Sequence, residues 1–142
     1  MMKHIFRIMV LSLCVAMNTA CSKEDDADAF VGTYSVSTIE NATWGGWSGT
    51  LTDNGSLLIT KVSNNRVRTS GYFNTFGSVV GNCLYLESYT SSDSSGSLTI
   101  VFGTGILNGT VITLSSSTSG SLKYQGVSYP FHSTSSHTCI KQ

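Results

Sequence analysis

The chain has 142 residues, balances eight basic against eight acidic side chains and is only 11% charged. That length suits about one domain with a real core. The neutral balance lacks the basic field that nucleic acid requires, and an apolar content of 40% excludes wholesale disorder.

Lys3, His4 and Arg7 give a basic start. Residues 8–16 are apolar except for Ser12, and Asn18-Thr19-Ala20 supplies small residues before Cys21. Basic, then apolar, then small is the layout of an export signal. The apolar run is far short of the about 20 residues that span a bilayer as a helix. A signal ending at a cysteine resembles a bacterial lipoprotein signal, which implies cleavage before Cys21 and a diacylglycerol on its thiol. Ser22-Lys23-Glu24-Asp25-Asp26 resembles the acidic export tag of surface lipoproteins of Bacteroidetes. The resemblance implies an outer-membrane protein exposed on the cell surface, with the membrane as its partner through Cys21. Residues 1–20 are then the signal, 21–29 a lipidated acidic tether and 30–142 the folded domain.

From Phe30 onward no segment keeps a 3.6-residue apolar period. Short alternating runs, rich in Ser and Thr between Val, Ile, Leu and aromatics, recur between turn signals every ~8–12 residues. Residues 33–39 and 47–52 open the series, and Asp53-Asn54-Gly55 reads as a turn before 57–62. Asn64-Asn65 divides 57–62 from 67–73, and Gly81-Asn82 divides 78–80 from 83–89. Asn108-Gly109 divides 98–107 from 110–116, and Gln125-Gly126 divides 120–124 from 127–131. Asn-Gly and Gly-Asn suit the primed turns, whose central residues reach positive φ. Gly71, Gly77, Gly103 and Gly105 fall inside strand runs, where bulges or corners use them.

Two hairpins predict a register. A two-residue loop at Asn64-Asn65 sets Val62 against Val67, Thr60 against Thr69 and Leu58 against Gly71 on an apolar face, with Lys61, Arg66 and Arg68 outside. Across Gln125-Gly126, Tyr124 meets Val127, Leu122 meets Tyr129 and Gly120 meets Phe131, facing inward, with Lys123 and Ser128 outward. Pro130 marks a kink or a weakly paired end. A run of adjacent hairpins makes a meander. The reading is therefore an all-β, antiparallel up-and-down meander of eight or nine strands closed into a barrel, with a β-sandwich as the alternative.

Phe30-Val31-Gly32-Thr33-Tyr34 resembles the Gly-x-Trp opening of the first lipocalin strand, with Tyr in place of Trp. Lipocalin-like surface lipoproteins of Bacteroidetes are similar in opening, hairpin spacing and size. The resemblance covers residues 30–142 and implies a lipocalin-like barrel.

Cys14 lies in the signal, which leaves Cys83 and Cys139 in the folded part. An oxidising compartment permits a bridge between them, and two buried free thiols are the alternative. His132 and His137 lie near Cys139 in a Ser/Thr-rich tail. Three such residues fall short of a tetrahedral zinc set, so no metal is expected. Glu40, Asp53, Glu87 and Asp93 are the carboxylates of the folded part, and Asp53 and Asp93 sit in turn signals. No Gly-x-Ser-x-Gly is present, and Gly103-Thr104-Gly105 lacks the lysine and the helix of a phosphate loop. The chain therefore reads as no enzyme and needs no cofactor.

Trp44-Gly45-Gly46-Trp47 sets two indoles around two glycines. With Tyr34 on the neighbouring strand they form the candidate ligand site, against the alternative of core and end-covering residues. The expected function is a non-catalytic binding module for a small apolar or amphipathic ligand held in the barrel. The alternative is a filled barrel that contacts a partner protein or a glycan.

Overall fold

The computed structural model describes residues 26–142. The signal, Cys21 and the start of the acidic tag lie outside the described residues. A short helix, α1 (Asp26–Phe30), precedes ten strands: β1 (Gly32–Trp44), β2 (Trp47–Ser63), β3 (Arg66–Gly71), β4 (Thr75–Val80), β5 (Cys83–Leu86), β6 (Tyr89–Asp93), β7 (Gly96–Phe102), β8 (Gly105–Asn108), β9 (Val111–Tyr124) and β10 (Val127–Lys141). All belong to one antiparallel sheet in the order β10-β1-β2-β3-β4-β5-β8-β9-β7-β6, and β10 also pairs with β9. That last pairing closes an eight-stranded ring.

The ring is a meander once its two broken strands are recognised. Cys83 opposes Ile106 and Leu84 opposes Gly105. Carried onward, that register sets Tyr89 against Ile100 and Asp93 against Gly96, which is the β6–β7 pairing. β5–β6 and β7–β8 are thus the two arms of one long hairpin. Its second arm breaks at Gly103, whose N–H still donates to the Ser115 carbonyl at 2.8 Å and keeps the arm on β9.

Alternation fills the ring. Tyr34 and Val36 on β1, Leu57 and Ile59 on β2, Leu84 and Leu86 on β5, and Ile112 and Leu114 on β9 point inward and form one cluster. The sequence placed Leu58 and Val62 on that inner face, and the structure moves them out. Ile59, not Thr60, opposes Thr69, and Leu57, not Leu58, opposes Gly71. A bulge between Lys61 and Ser63 takes up the extra residue and flips every side chain before it. Leu58 and Val62 are 43% and 51% exposed as a result. Arg66 and Arg68 do stand outside, over the Phe76 ring.

Asn64-Asn65 is the turn itself, whereas the turn signal at Asp53-Asn54-Gly55 fails. β2 runs unbroken through Asp53-Asn54-Gly55. Gly55 is there because a Cβ would collide with the Tyr72 ring, and Asp53 accepts a hydrogen bond from the Tyr72 hydroxyl at 3.2 Å. The Gln125-Gly126 hairpin has the predicted register in every pair. Pro130 sits just past Phe131, the last β10 residue paired with β1, where its missing N–H costs no bond to that strand.

α1 closes one end of the ring. Ala27 and Phe30 are fully buried. The Ala27 N–H donates to the Asn64 carbonyl at 3.0 Å, and the Asp26 carboxylate accepts from the Gly81 N–H at 2.8 Å. Asp28 meets Lys61 at 3.0 Å. Residues 26–29, the tail end of the predicted tether, therefore belong to a plug at one end of the ring.

Candidate functional site

The end opposite α1 is built by two hairpins. β1 and β2 turn through Gly45 and Gly46, whose φ values of 54° and 85° lie in the left-handed region that favours glycine. Trp44 and Trp47 are opposed at the end of that ladder and share one face. β9 and β10 turn through Gln125 and Gly126, with φ of 51° and 79°. That turn brings Tyr124 and Tyr129 beside the Trp44 ring. Each tyrosine ring meets it edge to face with centroids 6.2 Å apart, at 90° and 85°. Gly45 lets the Tyr129 ring pack directly on the turn.

These four aromatics surround an open notch of about 260 Å³. Trp47 and Tyr124 are 47% and 56% exposed, whereas Trp44 and Tyr129 are half-buried. The Trp44 indole Nε1 is buried and has no acceptor among the described residues. No acid, lysine, arginine or histidine lines the notch. The arrangement offers flat apolar surface without charge.

Tyr34 takes no part in it. It lies at the other end of β1, fully buried, and its hydroxyl donates to the Phe30 carbonyl at 2.8 Å. Burial pushes its phenol up to about 12. Ten strand residues separate it from Trp44, on the order of 33 Å.

Cys83 and Cys139 are both free thiols. Cys139 is inside the ring, while Cys83 alternates with buried Leu84 and Leu86 and faces outward. Thiols on opposite sides of the wall have no bridging geometry. Burial pushes the Cys139 thiol up to about 11, which leaves it an inert core group.

The predicted tail is strand, and its histidines part company. His132 is exposed on β10. His137 is buried, with Nδ1 at 2.7 Å from the Thr38 hydroxyl and Nε2 at 2.8 Å from that of Ser116. Phe73 and Tyr72 cover its ring. Among the described residues no three His, Cys, Asp or Glu side chains gather closely enough to hold a metal. Glu87 is engaged by Arg66 at 2.9 Å, and Asp93 accepts the Ser95 N–H in its turn.

The sequence did not signal a second hollow of about 600 Å³ on the outer face of β1, β10, β9 and β7. Its floor is Ser115, Ser117, Thr134 and Ser136, and Ile39 and Val101 stand at its rims. It is larger than the notch, yet its hydroxyls are open to water and no aromatic platform converges on it. Comparison with family models, with curated proteins and with solved structures yields no match.

Proposed function

We propose that this chain is a lipid-anchored, non-catalytic surface protein whose ligand site is the aromatic notch at the end of the barrel away from the anchor. One observation carries the reading: Trp44, Trp47, Tyr124 and Tyr129 converge around an uncharged, open notch of about 260 Å³. Core residues occupy the ring itself, so the ligand sits outside the barrel rather than in it. The chain enters the fold at α1, beside the turns at Asn64 and Gly81. β1 then carries it to Trp44, on the order of 40 Å from that entry. A site at that pole faces away from a membrane bound through Cys21. Kinship with lipocalin-like surface lipoproteins belongs to the same proposal, and the meander and Gly32-Thr33-Tyr34 support it.

Two measurements test this reading. Cys21→Ala should move the protein from the membrane fraction to the soluble one, and unchanged detergent partitioning would refute the anchor. Trp47→Ala should abolish ligand binding while leaving stability within about 1 kcal/mol, because the indole is half exposed and on the surface. Undiminished binding in that variant would remove the notch as the site.

A further inference from the structure

We infer that the α1 pole rests on the bilayer that holds Cys21, with an apolar strip of its outer wall set in the lipid headgroup layer. The inference rests on the lipid anchor and adds a contact between the fold and the membrane. Its first support is the length of chain between anchor and fold. Residues 22–25 alone separate Cys21 from Asp26, so the chain between them reaches at most about 18 Å. β1 by itself is 13 residues long, on the order of 40 Å. Asp26 is held to the pole by the Gly81 N–H at 2.8 Å, and the Ala27 N–H by the Asn64 carbonyl at 3.0 Å. The turns at Asn64 and Gly81 therefore stay within about half a barrel length of the surface.

The wall beside those turns is apolar. Val80 directly precedes Gly81 and is 65% exposed, the highest value among the exposed large apolar side chains. It opposes Cys83 on β5, and Cys83 opposes Ile106 on β8. Directly opposed residues share a face, so the three form a row on the outer wall. One strand further, Val111 on β9 opposes Ile140 on β10. Ile106 and Ile140 are 46% and 48% exposed. Backbone bonds tie this strip to the turns of the pole: the Leu107 N–H donates to the Asn82 carbonyl and the Lys141 N–H to the Thr110 carbonyl, both at 2.9 Å. Thr113 and Thr138, which continue the Ile106 row, carry no charge.

Charge selects the kind of surface. Asp28 is matched by Lys61 at 3.0 Å, and Glu24 and Asp25 stand directly before the fold. Anionic lipid attracts basic segments, not acidic ones. The contact is therefore with a zwitterionic headgroup layer, and apolar burial drives it. A few aliphatic side chains do not hold a free protein on a membrane. A short tether changes that, because the strip meets its surface at a high effective concentration and a shallow contact is enough.

The test uses the full lipidated chain in phosphatidylcholine vesicles. Cys83 lies in the strip and takes a bimane label, while Cys139 is buried inside the ring. The quencher is phosphatidylcholine with a nitroxide on its headgroup. Label at Cys83 should be quenched. Label at Ser128→Cys, in a Cys83→Ser background and beside the far hairpin turn, should not be. Inserting about 15 Gly/Ser residues after Asp25 lengthens the reach by ~20 Å and should leave the Cys83 quenching intact. Val80→Asp with Ile106→Asp on that longer tether should abolish it, with circular dichroism and co-sedimentation unchanged. Quenching that is lost on lengthening alone, kept in the double variant or equal at both labels would overturn the apolar contact and leave the anchor standing. So would an unquenched Cys83 label on protein that sediments with the vesicles. Protein that does not sediment with them would overturn the anchor, and the contact with it.

Discussion

His137 shows what one buried side chain does to the pH response of this fold. The imidazole spans β10 to β1 and β9 through two hydroxyls, so one ring nitrogen accepts and the other donates, as in a neutral ring. Burial lowers its pKa to about 4, against 6.5 in the unfolded chain. The folded state thus resists the proton that the unfolded state takes up. This contribution is fully present above pH 6.5 and is lost progressively as pH falls toward 4. The loss over that window is on the order of 2–3 kcal/mol. Urea melts at pH 7.5 and 4.5 should show the drop, and a flat profile would mean that water reaches the ring. The sequence did carry a signal here: Ser133, Ser135, His137 and Cys139 continue the alternation of the strand before them. Reading the Ser/Thr-rich stretch as a tail stopped that alternation at Phe131. Tyr34 was misplaced for a different reason. Adjacent strands suggest that it neighbours the two tryptophans, but the length of β1 separates them.

Turns were legible where a glycine reaches positive φ and obscure where a glycine served another purpose. Gly81-Asn82 and Gln125-Gly126 turn where the sequence says. At Asn108-Gly109 the loop moves on by one: Asn108 pairs with Val111, and Gly109-Thr110 makes the turn. Gly109 still carries the bend, with φ of 64°. Gly109→Val should therefore cost about 1–3 kcal/mol of stability, read as a lowered thermal midpoint. Val should be worse than Asn at this site. Gly55, by contrast, gives way to the Tyr72 ring inside a strand, and no local rule distinguishes that glycine from a turn residue. The bulge beside Val62 was equally silent, because a two-residue loop and a bulged one share the same Asn-Asn. The plug helix α1 was hidden by its acids. Asp26 and Asp28 read as tether, yet Ala27 and Phe30 between them are fully buried. Phe30→Ala should cost on the order of 3–5 kcal/mol, since it empties the end of the ring and strips the packing around the Tyr34 hydroxyl bond. A smaller loss, under about 1 kcal/mol in a chemical melt, would make α1 an ornament.

At the scale of the molecule the barrel has a low wall and a high one. β3, β4 and β5 are six, six and four residues long, while β1, β2, β9 and β10 run to between 13 and 17. Only the part near α1 is a closed ring. Above it, residues 47–55 of β2 pair with β1 alone, and β6 pairs with β7 alone. The closed part holds the buried hydrophobic cluster; the upper part holds the notch and mainly half-buried or exposed side chains around Ala42 and Ser133, which are buried. Local opening follows the density of buried contacts, so the two parts should unfold with different free energies. Hydrogen exchange read by mass spectrometry should find the slowest amides in 34–38, 57–60, 111–114 and 136–141. The fastest should lie in 47–56 and 89–95, along the two open edges. Equal protection at both ends would mean that the upper walls close more tightly than their pairing implies. A ligand at the notch bridges the β1–β2 and β9–β10 hairpins, which the backbone joins through the β1–β10 ladder below. Its addition should slow exchange in 44–49 and 122–130 and leave 57–60 unchanged, because binding there orders the open pole and has nothing to add to a ring already filled.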